Sequence, residues 1–172
     1  MKRASTVLML PLLLACVQAP ELRVQEVGGC SPPGWSRAQL EDLKAAEFEI
    51  VDDGAREAFA KAVTACLASP DPWLRDGVAF EALTHMLRGR QLSADTMRAL
   101  MHDLSARLEA PDPHGVGQSF AALVLAEVAR ADRIEAHLAE DELATLLVKS
   151  QHWFINITDY RGFSEAEGWR HA

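Results

Sequence analysis

Apolar residues recur every three or four positions from about residue 36 to the end of the chain, which is the spacing of a buried helical face. The clearest stripe follows Ser93, a residue type that caps helix N-termini. Its apolar positions are Met97, Leu100, Met101, Leu104 and Leu108. The runs with strand-like composition, residues 24–27 and 48–51, are too short and lack partners. The pattern therefore predicts an all-α protein.

The same periodicity places the other helices. One helix is predicted to begin near Ser36, and a second to run from about Gly54 to Ala68. The segment from Phe120 to Val128 is apolar on nearly every side, so we expect it at the centre of the protein. A last amphipathic helix carries these residues on one side: Leu143, Leu146, Leu147, Ser150 and Phe154.

One sequence motif occurs twice in the chain. Residues 70–72 and 111–113 both read Pro-Asp-Pro, and residues 80–83 and 120–123 both read Phe-x-Ala-Leu. The first pair lies 41 residues apart and the second pair 40. A period of about 40 residues in a helical sequence is typical of HEAT and armadillo repeats. We therefore expect stacked antiparallel helix pairs, a fragment of an α-solenoid.

The Asp-Pro pair in each copy of the motif explains how a helix would begin there. Asp71 can cap a helix whose first residue is Pro72, because the first turn of a helix does not need the missing N–H. Asp112 and its following proline offer the same device, which Gly115 and Gly117 weaken.

The N-terminus has the pattern of a secretory signal. Lys2-Arg3 precedes an apolar run, Val7–Ala15, that is too short to span a membrane. It ends in Leu13-Leu14-Ala15-Cys16, which resembles the site at which bacterial lipoproteins are cleaved and acylated. Residues 1–15 are thus predicted to be a lipoprotein-type signal peptide, with Cys16 as the lipidated residue.

Cleavage after Ala19 is the alternative, although Pro20 is unfavourable after a cut. Residues 16–34 are rich in glycine and proline and predict a flexible tether, followed by a helical repeat domain over residues 35–172. Val17 resembles the default signal for the outer membrane. The predicted location is the bacterial cell envelope, at the outer membrane and facing the periplasm, with membrane attachment through the lipid alone.

Charge excludes one class of partner. The chain has a formal net charge of −8, which becomes −10 once Lys2 and Arg3 are removed. No run of basic residues offsets this charge, so binding to nucleic acid is not expected.

Two cysteines remain beside Cys16. Cys30 and Cys66 could form a disulfide in an oxidising compartment, or Cys66 could be a buried free thiol on an apolar helix face. The free thiol is slightly favoured, because Cys30 lies in the predicted tether.

Common catalytic and metal-binding signatures are missing from the sequence. The six histidines, at 85, 102, 114, 137, 152 and 171, include no pair three to five residues apart, which is the helical zinc spacing. The sequence contains no Cys-x-x-Cys, phosphate-binding glycine loop or Gly-x-Ser-x-Gly elbow. No metal and no cofactor are predicted.

Three polar clusters stand out. The first is Trp73, Arg75 and Asp76, where Asp76 would complement the helix dipole and Arg75 would bridge to a neighbouring repeat. The second is residues 159–163, Asp-Tyr-Arg-Gly-Phe, a turn in which the glycine is expected in a left-handed conformation. The third is residues 168–172, Gly-Trp-Arg-His-Ala.

These clusters, together with the segment Ser119–Ala126, resemble consecutive motifs of the bacterial family known as domain of unknown function 2785. The resemblance extends over roughly residues 36–172 and implies an all-helical, repeat-like fold without a known activity. The family commonly has Arg where this chain has Gln118, and its pattern continues past Trp-x-His-Ala to a second His and an Asp on the same helix. Relative to that pattern we expect this chain to be truncated at its C-terminus.

Truncation would leave the face of the last amphipathic helix uncovered. A helix over about residues 164–172, a second copy of the chain or another partner would then have to cover it, or the protein would be poorly stable.

Two main functions remain open. The first is a lipid-anchored scaffold or binding module for a protein or peptide partner, or one that self-associates. The second is a hydrolase-type enzyme with a polar cleft, or a truncated and inactive relative of one. The candidate binding residues are Trp73, Arg75, Asp76, Arg161, Trp169 and His171, and the candidate catalytic residues among them are Asp76, Arg161 and His171.

Overall fold

The computed structural model describes residues 30–170 of the chain and confirms the all-α class. The predicted signal peptide, Cys16 and His171 lie outside the described residues. The helices are α1 Arg37–Ala45, α2 Asp53–Val63, α3 Pro72–Leu74, α4 Glu81–Arg88, α5 Ala94–Arg107, α6 Gly117–Ile134 and α7 Glu140–Ile155. A 3₁₀ turn, Thr64–Ala68, extends α2, and a π-helical turn, Arg75–Phe80, joins α3 to α4. Two short strands, β1 Phe163–Ser164 and β2 Gly168–Trp169, form an antiparallel hairpin.

The predicted helix caps are confirmed. The Ser36 side chain accepts a hydrogen bond from Gln39 N, and the Gln39 side chain accepts one from Ser36 N. Asp71 Oδ1 accepts from Trp73 N at 2.9 Å, with Pro72 in the first helical position. Ser93 caps α5 in the same way.

One layer of the fold consists of α1, the continuous α3–α4 helix, and α6. Arg37 near the start of α1 pairs with Asp71 before α3, and Lys44 near the end of α1 pairs with Glu81. Farther along the stack, the Phe80 ring meets an aromatic ring near the start of α6, and Arg88 pairs with α6 midway along its length. Because early residues meet early residues and late residues meet late ones, these helices run parallel.

The second layer consists of α2, α5 and α7. Glu57 of α2 accepts a hydrogen bond from Ser93 N at the start of α5. The beginning of α5 is near the beginning of α7, since Arg98 pairs with Glu142 at 3.4 Å. Lys149 Nζ then reaches back to Glu109 at 2.7 Å. These helices therefore also run parallel to one another.

The two layers make three helix pairs in a stack. Hydrogen-bonded partners in neighbouring pairs are 34, 36, 37, 39 and 40 residues apart in the chain. Consecutive helices of the two layers are antiparallel: α6 begins beside the end of α5, where Gln118 Nε2 donates to Ala110 O at 2.8 Å, and packs back along α5. This arrangement has the repeat length and layering expected from the sequence.

The two copies of the repeated motif occupy corresponding positions in this stack, with one difference. The Phe80 and Phe120 rings contact edge to face, with 5.8 Å between their centroids. Asp71 caps a helix that begins at the next residue, whereas Asp112 Oδ2 accepts from Gln118 N, six residues on. The second helix begins late because Gly115 has a φ of +66° and turns the chain away from a helix.

The predicted core positions are largely confirmed. The α5 stripe is buried, and α6 packs against α4 and α5 as the central helix. The buried side chains of α6 include Phe120, Val124, Leu125 and Val128. The stripe on α7 divides: Leu146 is buried, whereas Leu147 and Phe154 are exposed.

The preference for a free thiol at Cys66 was wrong, because Cys30 and Cys66 form a disulfide with their Cα atoms 5.2 Å apart. A turn in which Trp35 N donates to Pro32 O directs this segment back over α2. The Trp35 ring then packs on Phe59, with the centroids 5.0 Å apart. The end of the segment predicted as a tether is thus fixed to the domain.

A helix over residues 164–172, one of the alternatives for covering α7, does not form in the described part of this region, where the hairpin lies instead. The left-handed residue is Gly168, with a φ of +68°, and Gly162 does not have a positive φ. Within residues 30–170 no helix combines the length and the apolar character needed to cross a bilayer.

Candidate functional site

The π-helical turn Arg75–Phe80 shapes the first polar cluster. π-helical turns are rare and occur frequently at functional sites, because the extra residue disturbs the regular pairing of backbone groups. Here the Gly77 carbonyl accepts a hydrogen bond from Lys44 Nζ at 2.7 Å. Helix α1 thus stabilises the turn that orients Arg75 and Asp76.

Arg75 connects this turn to the C-terminal hairpin. Its side chain is only 1% exposed. Nη1 donates to Ser69 O at 3.1 Å, and Nη2 donates to Glu167 O at 2.6 Å and Trp169 O at 3.1 Å. The guanidinium carbon lies 5.0 Å from the centre of the Phe120 ring. The expected bridge from Arg75 to a neighbouring repeat is therefore present, and the same side chain also binds the hairpin.

Asp76 balances the buried charge of Arg75. Asp76 Oδ1 lies 2.7 Å from Arg75 Nε, at an angle too bent for a hydrogen bond. The other oxygen, Oδ2, accepts from Trp169 N at 3.2 Å. Both oxygens of Asp76 are thus occupied by Arg75 and the hairpin, which gives this carboxylate a positioning role.

The hairpin approaches so closely that only glycine fits at residue 168. A Cβ there would lie 2.6 Å from Asp76 Oδ2 and 2.8 Å from both Arg75 Nη2 and Pro72 Cβ. We refer to Arg75, Asp76 and Gly168 as the hairpin clamp.

A cavity of about 500 Å³ lies beside the hairpin clamp. Charged and titratable side chains dominate its lining: Arg75, Arg161, Arg170, Asp112, Glu167 and His114. We refer to it as the arginine cavity. The lining itself has three arginines and two carboxylates, and Asp76 and Asp159 pair with two of these arginines from just outside it.

Arg170 is held on two sides at this cavity. Its Nε and Nη2 donate to the two oxygens of Glu167 at 2.7 and 2.8 Å, and its Nη1 donates to His114 O at 2.9 Å. The hydrogen bonds from Arg170 lower the pKa of Glu167 and, in return, raise the pKa of Arg170. The pair is therefore charged at neutral pH.

Arg161 is the more accessible arginine, with 59% of its side chain exposed. Its Nε donates to both oxygens of Asp159, at 2.8 and 3.0 Å, and Nη2 also contacts that carboxylate. Hydrogen bonding to Asp159 raises the pKa of Arg161. Among residues 30–170, no hydrogen-bond partner contacts its Nη1.

A second cavity of about 620 Å³ lies between the ends of α5 and α7. Asp112 and Gly115 line both cavities. A Cβ at Gly115 would lie 3.5 Å from Arg170 Nη1 and 3.9 Å from Arg161 Nη2. Asp112 Oδ1 is buried without a hydrogen-bond partner in the described part of the chain. A buried carboxylate oxygen in this state is unusual, which marks the loop between α5 and α6 as part of the site.

Residues 104–172 match the model of DUF2785, a family of proteins of unknown function. The match confirms the resemblance over this part of the chain. The DUF2785 region contains α6, α7, the hairpin and most of the lining of the arginine cavity. Arg75 and Asp76 precede it. No curated protein and no solved structure matches the chain.

The structure brings most of the predicted binding residues together. Arg75 and Arg161 line the arginine cavity, and Asp76 and Trp169 contact Arg75 directly. Trp73 does not line it and instead packs beneath the Arg37 guanidinium, 4.0 Å from its ring centroid. His171 lies outside the described residues.

Sequence reasoning singled out Asp112 as a cap and Asp159 in a polar cluster without assigning either to the site, and it missed His114 and Glu167. One available signal was that the second Pro-Asp-Pro is followed by His and Gly rather than by helix-forming residues. Glu167 gave no such signal, because its role depends on a hairpin held by a residue 92 positions earlier.

Proposed function

We propose that this chain is a helical-repeat binding module whose arginine cavity holds an acidic side chain or C-terminal carboxylate of a protein or peptide. The observation that carries the proposal is the convergence on one cavity of Arg75, from the π-helical turn, with Arg161 and Arg170, from the C-terminal segment. Arginine is suited to this ligand because its planar guanidinium matches the geometry of a carboxylate.

The three arginines have different roles in this proposal. Arg75 is fully buried and bound to backbone carbonyls, so it fixes the wall of the cavity. Arg170 is held by Glu167 and the His114 carbonyl. In the described part of the chain Arg161 Nη1 has no hydrogen-bond partner, and its side chain is exposed, so Arg161 is the residue that contacts the ligand.

The test is selection of peptides from a library on the purified full chain, followed by fluorescence anisotropy of the selected peptides. Arg161→Gln is expected to weaken binding by about 10- to 100-fold, the range for losing a hydrogen bond between charged groups. Arg133→Gln, an exposed arginine on α6, is the matched control and should leave affinity unchanged. Selection of peptides without acidic groups, or equal affinity for the Arg161 and Arg133 variants, would overturn the proposal.

The module is further proposed to be lipid-anchored through Cys16 in the bacterial cell envelope, facing the periplasm at the outer membrane. The lipoprotein-like sequence Leu13-Leu14-Ala15-Cys16 supports this location, and a disulfide between Cys30 and Cys66 is the bonding found in oxidising compartments. Metabolic labelling with an alkyne fatty acid should mark the wild-type chain and not Cys16→Ser. Equal labelling of both would refute the anchor.

The same convergence favours hydrolysis as a second candidate function. Asp112 faces one cavity with Arg161 and offers a carboxylate that can act as general base beside a cation, whereas both oxygens of Glu167 are bound by Arg170. Asp76 would then be a positioning residue, because both of its oxygens are occupied. A panel of chromogenic ester, amide, phosphoester and glycoside substrates tests this candidate. It requires turnover that Asp112→Asn abolishes.

A further inference from the structure

Helix α7 carries an exposed apolar face. Leu147, Val148, Phe154 and Ile155 are 58%, 65%, 70% and 75% exposed, respectively. At 3.6 residues per turn, these side chains lie within an arc of about 120° centred on Gln151. The opposite side of the helix packs on the stack through Leu146, which is 3% exposed. We refer to the four exposed residues together with Gln151 as the α7 stripe.

The apolar residues of the α7 stripe are arranged symmetrically about Gln151. Leu147 and Val148 precede Gln151 by four and three residues, and Phe154 and Ile155 follow it by three and four. If a second α7 packs antiparallel about a two-fold axis at Gln151, each apolar pair meets the apolar pair of the other copy. The two Gln151 amides then meet at the axis, where they can hydrogen-bond to each other. A two-fold interface requires such a self-complementary surface.

The charges around the α7 stripe are compatible with this packing. Lys149 lies on the inner side of α7 and is bound to Glu109 at 2.7 Å, so it does not face the axis. The acidic residues Glu140, Asp141 and Glu142 are at the N-terminal end of α7. With the axis at Gln151 the two helices overlap over residues 147–155, so these acidic residues lie beyond the C-terminal end of the other α7 and do not face each other across the axis.

We infer that two copies of this chain associate through the α7 stripe with antiparallel α7 helices. The α7 helix is the outer member of its layer, and a second α7 covers it as α7 itself covers α5. Four apolar side chains bury less than the roughly 800 Å² per partner of a standard interface, so we expect the dimer to be reversible. An anionic membrane surface is disfavoured as the occupant by the three acidic residues at the start of α7.

Sedimentation velocity of the full chain over a concentration series tests the inference. The expected result is a monomer–dimer equilibrium, and Phe154→Glu should raise the dissociation constant at least about tenfold. The matched control is Thr145→Glu, which adds the same charge to an exposed position of α7 outside the stripe. A chain that stays monomeric throughout, or a dimer that both substitutions affect equally, would overturn the inference.

Cross-linking tests the position of the two-fold axis. Gln151→Cys places a thiol on the axis and should give a disulfide-linked dimer under mild oxidation, above any background seen with the unmodified chain. Thr145→Cys should not. Efficient cross-linking of Thr145→Cys with none of Gln151→Cys would refute the antiparallel arrangement, as would binding of the chain to anionic vesicles through α7 in place of dimer formation.

Discussion

Replacing Arg75 tests whether the hairpin clamp holds the C-terminal segment on the helical stack. Arg75→Met keeps an unbranched side chain of moderate size but removes the charge and every donor. Asp76, whose Oδ1 is buried and whose side chain is 24% exposed, is then left without its cation, and the carbonyls of Ser69, Glu167 and Trp169 lose their donor.

The expected loss is set by the unpaired charge. Breaking a buried ion pair by removing one partner costs about 3–5 kcal/mol. The hydrogen bonds to Glu167 O and Trp169 O add little to this figure, because the released hairpin can bond to water instead. A loss of this size is a large fraction of the roughly 5–15 kcal/mol that stabilises a typical domain.

Two assays separate the consequences. Urea unfolding followed by circular dichroism gives the free energy of unfolding, and hydrogen exchange gives the protection of residues 163–170. Arg75→Met should lose about 3–5 kcal/mol and the protection of the hairpin amides. The double variant Arg75→Met/Asp76→Leu should regain part of the stability, because no unpaired charge remains, but should leave the hairpin unprotected.

Arg133→Met provides the control for loss of an arginine on the surface. The reasoning is refuted if Arg75→Met loses less than about 1 kcal/mol, which is the value of an exposed pair. It is also refuted if the hairpin amides of that variant stay as protected as those of the wild type.

Three further predictions follow from the structure. Cys66→Ser should lower the free energy of unfolding by about 2–4 kcal/mol under oxidising conditions, because the disulfide closes a loop with a sequence separation of 36, and a reductant should abolish the difference. Gly168→Ala should cost about 1–3 kcal/mol, because the added Cβ meets Asp76 at a positive φ, whereas Gly162→Ala, which has open space, should be neutral in the same urea titration. Hydrogen bonds from Arg88 and Arg130 lower the pKa of Glu127 in the folded protein. Its contribution to stability is therefore complete above the pKa that Glu127 has in the unfolded chain, and it is lost as the pH falls through the pKa of the folded state. Glu127→Gln should flatten the acid side of the curve of stability against pH, and an unchanged curve would contradict this.

The helical framework was predictable from sequence because its determinants are local. Ser36, Asp71 and Ser93 each cap a helix through hydrogen bonds to backbone amides two or three residues away. The stripe of α5 is buried at the positions that helical spacing predicts. The contact of Phe80 with Phe120 follows from the repeat, since equivalent residues of stacked units are neighbours.

The features that sequence reasoning missed depend on contacts between distant segments. The disulfide required the turn at Pro32 to bring Cys30 over α2, and the hairpin required Arg75 to bind the Glu167 carbonyl. The π-helical turn has no composition that distinguishes it from an α-helix. The left-handed glycine was predicted at Gly162, whereas a positive φ and the approach of Asp76 make glycine necessary at Gly168.

The central claim is that the two copies of the repeated motif occupy equivalent and neighbouring positions in a stack of helix pairs. A nuclear Overhauser spectrum of the phenylalanine-labelled full chain tests it most directly, because the Phe80 and Phe120 ring centroids are 5.8 Å apart. The account predicts cross-peaks between the two assigned rings. Assigned and well-resolved rings with no cross-peak between them would contradict it.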